Sequence, residues 1–61
     1  MEVKILWHDI DEWVVFVDGR NAGDISEDCE VGWRFYPNRN CSFNELAIGA
    51  ILNKLKELNY V

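Results

Sequence analysis

Trp13-Val14-Val15-Phe16-Val17-Asp18-Gly19-Arg20 decides the fold: an aromatic and β-branched run that halts at Asp-Gly. Such a run favours a pleated, half-buried strand, and Asp-Gly supplies the positive backbone angles of a tight hairpin turn. The chain therefore reverses at residues 18–19. Asn21 to Ile25 reads as a short returning strand of uncertain register, so the strand count is three or four.

Upstream, Val3-Lys4-Ile5-Leu6-Trp7-His8 alternates so that Val3, Ile5 and Trp7 share one face. Asp9-Ile10-Asp11-Glu12 would turn the chain into the central run. Downstream, Ser26 to Glu30 reads as an acidic loop, and Gly32-Trp33-Arg34-Phe35-Tyr36 as a strand closed by Pro37, which lacks the amide a ladder requires.

The remainder predicts one helix over about residues 43–59. Ser42 and Glu45 fit a capping box, and nothing to Asn59 breaks the helix except the tolerable Gly49. The expected fold is thus one α+β domain over residues 1–61, with strands near 3–8, 13–18, 32–36 and optionally 21–25. Together they form an antiparallel sheet packed on a single C-terminal helix.

Two surfaces carry more apolar residues than this fold needs. Ala47, Ile48, Ala50, Ile51, Leu52, Leu55 and Leu58 cover roughly 200° of the helix, wider than the ~100° stripe of a single sheet contact. If Trp13, Val15 and Val17 face the helix, Val14 and Phe16 face away with Leu6 and Tyr36, although a sheet covered on one side should alternate apolar with polar. A second body on either surface would account for the excess, a second copy of the chain included.

Charge divides the sequence. Residues 1–30 hold nine carboxylates against Lys4 and Arg20, a balance of −7, while residues 31–61 carry +2 within a total of −5. A field of the first sign repels phosphate backbones and anionic membranes and attracts basic protein surfaces. The longest apolar-rich stretch, residues 46–52, is far below the ~20 residues of a membrane span. Met1-Glu2-Val3-Lys4 passes straight into strand-like sequence without the pattern of a secretory leader, so a cytoplasmic location is expected. In that compartment Cys29 and Cys41 are expected as free thiols.

Candidate chemistry is sparse. His8 is the sole histidine and reads as an exposed strand-end residue; with Cys29 and Cys41 it offers three zinc ligands, but without paired spacing. Asp24, Glu27, Asp28 and Glu30 lack the alternation and glycine of a calcium loop. No acid, base and nucleophile converge in sequence, so no catalytic residue, metal or cofactor is expected, and the chain reads as a non-enzymatic protein-interaction module. Its expected partner surface combines Asp9, Asp11, Glu12, Asp24, Glu27 and Asp28 with Trp7 and Trp33 as aromatic anchors, suited to a protein with a basic or apolar surface.

The alternative is a nucleic-acid-binding domain in which Arg34, Arg39, Lys54 and Lys56 form a small basic face, with Trp33 and Tyr36 as stacking residues. The run from Trp13 to Gly23, followed by Gly32-Trp33-Arg34-Phe35-Tyr36 and a helix, resembles the β-β-β-α half of double-stranded-RNA-binding-like domains and of integrase amino-terminal DNA-binding domains. Those families place cations on the sheet or at the helix start, where this chain has Asn44 and Glu45. In size, acidity and aromatic content the chain is also similar to small accessory proteins of bacteriophages and prophages, a likeness that implies binding or inhibition of a host protein.

Overall fold

The computed structural model describes residues 2–60. Four strands, β1 (Val3–Asp9), β2 (Glu12–Val17), β3 (Arg20–Asp28) and β4 (Gly32–Pro37), form an antiparallel meander in the order β1-β2-β3-β4, followed by α1 (Glu45–Asn59). The α+β architecture read from the sequence is the one observed.

The central hairpin is built as its residues require. Val17 pairs with Arg20, and the two residues between them both take positive φ, 52° at Asp18 and 80° at Gly19, as a two-residue type I′ turn demands. Asp18 also ties down the chain start: its Oδ1 accepts from Glu2 N at 2.7 Å, and its own N–H donates to Glu2 O at 2.8 Å.

The returning strand is longer than residues 21–25, and the expected acidic loop at Ser26–Glu30 is largely strand. Ser26 pairs with Arg34, Glu27 with Trp33 and Asp28 with Gly32: Ser26 and Asp28 lie on the face away from α1, while Glu27 shares the face of Ile25 but stays exposed near the end of the sheet, so all three keep their backbones in the ladder. Register is interrupted between Val15↔Gly23 and Phe16↔Asn21, leaving Ala22 as an extra residue on β3. Ala22 is fully buried there, so the bulge adds a core side chain and re-phases the strand. That re-phasing is why simple alternation does not fix the register from sequence.

The bulge also needs Gly23. At φ +146° it sits so close to β4 that an added Cβ would lie 2.4 Å from the Tyr36 carbonyl oxygen. Past β4, Asn38 N donates to Ala22 O at 2.9 Å and Asn38 Nδ2 to Asn21 O at 2.9 Å, pinning the connection to α1 against the bulge.

The helix starts two residues later than expected, and its cap is Asn44 rather than Ser42. Asn44 is extended, with φ −92° and ψ −178°, and its Oδ1 accepts from Ala47 N at 3.0 Å. Phe43 is held outside the helix by packing edge-on against Phe35, with ring centroids 5.5 Å apart. Glu45 consequently occupies the first turn, where the helix dipole favours an anion.

One face of the sheet carries the core. Val15, Ala22, Ile25 and Ile51 are buried, and Val3, Ile5, Trp13, Val17, Trp33, Phe35, Phe43, Leu55 and Leu58 pack around them. Trp13, Val15 and Val17 thus face α1 as expected. The opposite face is left uncovered by the described residues and presents half-exposed Leu6 and Tyr36 with part-buried Val14 and Phe16. Among the described residues no helix is long and apolar enough to cross a membrane.

Candidate interaction surfaces

In a meander, alternate turns share an end, so the β1–β2 and β3–β4 connections lie together. Asp11 O accepts from Glu27 N at 3.0 Å, joining the first turn directly to β3. Asp9, Asp11, Glu12, Glu27, Asp28 and Glu30 therefore meet at one tip of a molecule about 30 Å long and 18 Å across.

Two of these carboxylates shape the tip as well as charging it. Asp9 Oδ1 accepts from Ile10 N at 2.7 Å, and Asp28 Oδ1 accepts from Glu30 N at 2.8 Å, so each turn is braced by its own side chain. Between the carboxylates stand apolar residues that the fold leaves in water: Trp7 at 63%, Ile10 at 83% and Val31 at 50% exposure. Trp7 is on the core side of β1, opposite Trp13, but remains open at the sheet edge. His8 is the extra residue of a bulge in β1, and its Nε2 lies 3.5 Å from Glu12 Oε1.

Six of the eight expected contact residues, Trp7, Asp9, Asp11, Glu12, Glu27 and Asp28, are thus brought together. Asp24 is not among them: it sits mid-strand on the uncovered face, between Val14 and Tyr36. Trp33 is not a free anchor either, because it packs against the core and the end of α1 holds its backbone. The sequence alone does not single out Ile10 and Val31. The signal was a large apolar side chain within each acidic turn, where solvation alone would select a polar one.

The basic residues do not assemble. Arg34 projects from the uncovered face and Arg39 lies in the connection after β4. Lys54 is folded over the Trp13 ring, 3.7 Å from its centroid, and Lys56 is exposed on α1. Trp33 and Tyr36 point to opposite faces of β4, so the stacking pair is divided too.

The thiols are similarly separated. Cys41 Sγ donates to Asn21 O at 3.5 Å at one end of β3, and Cys29 is exposed just beyond the other. At ~3.3 Å per residue the eight-residue interval from Asn21 to Cys29 spans roughly 26 Å, far outside disulfide reach. The same distance removes His8, Cys29 and Cys41 as a zinc set, and among the described residues no group of three or more His, Cys, Asp or Glu side chains is placed to hold a metal ion.

A second surface lies beside α1: an apolar groove of about 450 Å³ lined chiefly by Phe35, Phe43, Ile48, Leu52 and Leu55. Comparison of this chain with protein-family models, with curated proteins and with solved structures finds no match.

Proposed function

We propose that this chain is a non-enzymatic binding module whose acidic tip docks on a protein surface with an apolar centre and a basic rim. The observation that carries this reading is the placement of Trp7, Ile10 and Val31, three exposed apolar side chains, among six carboxylates on two braced turns. Large apolar anchors supply most of the affinity at an interface, and surrounding charge steers the encounter. Like charges crowded on so small a fold oppose folding modestly, and a bound partner with a basic rim would relieve that repulsion.

Capture of partners on immobilised chain, followed by kinetics with the captured protein, tests the reading. Trp7→Ser with Ile10→Ser should raise the dissociation rate at least tenfold. Asp11→Asn with Glu27→Gln should instead slow association and flatten its salt dependence. Binding indifferent to both pairs would leave the tip as solvated surface and end the proposal.

A further inference from the structure

Gly49 occupies the middle of α1, where glycine costs ~1 kcal/mol relative to alanine, and nothing among the described residues asks for it. Its φ is not in the left-handed region, and a Cβ built there meets no atom within 4 Å. The helix also carries Ile48 and Leu52 exposed beside the groove, outside the stripe that Ala47 and Ile51 bury. A missing side chain next to surplus apolar ones is the pattern of a surface made for close approach by another body.

The residues around Gly49 indicate which body. Glu45, Gly49, Leu52 and Lys56 follow one another at intervals of four, three and four, the seam spacing of two helices packed near +20°. That seam reads acid, gap, knob, base. Laid antiparallel against itself, it places Glu45 against Lys56, and Leu52 over the space at Gly49, with each contact occurring twice. Glu45 and Lys56 make no ion pair among the described residues, whereas the neighbouring Lys54 and Glu57 pair with each other at 3.5 Å. On the flank towards β4, Ile48 of each copy meets Leu55 of the other at the mouth of the apolar groove.

We infer that two copies of this chain associate through α1 as an antiparallel, two-fold symmetric pair, with Leu52 of each seated over Gly49 of the other and reciprocal Glu45–Lys56 ion pairs closing the ends. A two-fold interface is self-complementary by construction, and this seam satisfies that condition in charge, in volume and in apolar flank at a single register. The pairing leaves the acidic tip free and does not depend on the tip's proposed role.

Sedimentation equilibrium at low salt provides the test. The wild-type chain should show a concentration-dependent rise from 7.1 kDa toward twice that mass. Glu45→Lys alone and Lys56→Glu alone should each weaken association by roughly tenfold or more, because two attractive pairs become repulsive. Mixing the two variants in equal amounts should restore it, since in the antiparallel register every reversed residue then faces its opposite. Gly49→Leu separates this from a purely structural role: the filled gap should abolish pairing while raising the thermal stability of the monomer. A wild-type chain that stays monomeric to millimolar concentration, a dimer untouched by Gly49→Leu, or a mixture that does not reassociate would each overturn the inference.

Discussion

Asn59, in the last turn of α1, closes a two-bond ring on the backbone of Trp33: its Oδ1 accepts from Trp33 N at 2.8 Å and its Nδ2 donates to Trp33 O at 3.1 Å. The two residues are 26 apart in sequence, so this one side chain fastens the helix end to the start of β4. Gly32 makes room for it, with φ +83° and a would-be Cβ only 2.7 Å from Asn59 Oδ1.

Asn59→Ala should therefore cost about 1–2 kcal/mol, losing two hydrogen bonds at an exposed site, with Tm falling by roughly 5–15 °C for a domain this small. Gly32→Ala should cost at least as much, since it both strains the backbone and pushes the amide away. Urea denaturation of the two single variants and their combination checks the link: because both act on the same ring, the double variant should lose less than the sum of the single losses.

Gly23→Ala should unfold most of the population. The added methyl would lie within 3 Å of Tyr36 O, of Pro37 Cα and of the Phe35 ring at once, and two of those atoms are backbone that cannot turn aside. Far-ultraviolet circular dichroism at 25 °C is sufficient, and a variant with native-like melting would show that the bulge relaxes more readily than its geometry implies.

Asp18 has two separable roles, the positive-φ turn position and the acceptor for Glu2 N. Asp18→Asn retains both, because asparagine tolerates that conformation and keeps an amide oxygen, so its stability should equal or slightly exceed the wild type. Asp18→Ala loses both and should be destabilised by about 1–2 kcal/mol. Thermal melts of the pair suffice, and equal losses in both would mean that the carboxylate charge matters more than its position.

Lys54 has only 17% of its side chain exposed, an unusual state for lysine, because its stem lies on the helix–sheet seam and its ammonium sits over Trp13. Lys54→Met keeps the stem and removes the cation, so it should cost about 0.5–1 kcal/mol. Lys54→Ala exposes part of the Trp13 ring and should cost more. Denaturation followed by tryptophan fluorescence gives the order, and Ala no worse than Met would assign the effect to charge alone.

Elements that local chemistry controls are legible in the residues alone. The β-branched run at Val14–Val17 with Asp18-Gly19 behind it carries a strong local hairpin signal, since few other residues accept the turn's backbone angles. The helix and its end at Asn59 were legible from the 3.6-residue pattern, although its first residue and its cap were not. Tertiary structure decided whatever depends on a partner distant in sequence. Ser26 to Asp28 became strand because β4 offered them a ladder, and Ala22 turned inward because a bulge opposite Val15 left it no other side. The cap moved to Asn44 because Phe43 is drawn onto Phe35. Trp33 and Trp7, alike as exposed anchors in sequence, parted because Asn59 and the packed end of α1 hold one in place, while the other lies at a sheet edge that none of the described residues reaches across to cover.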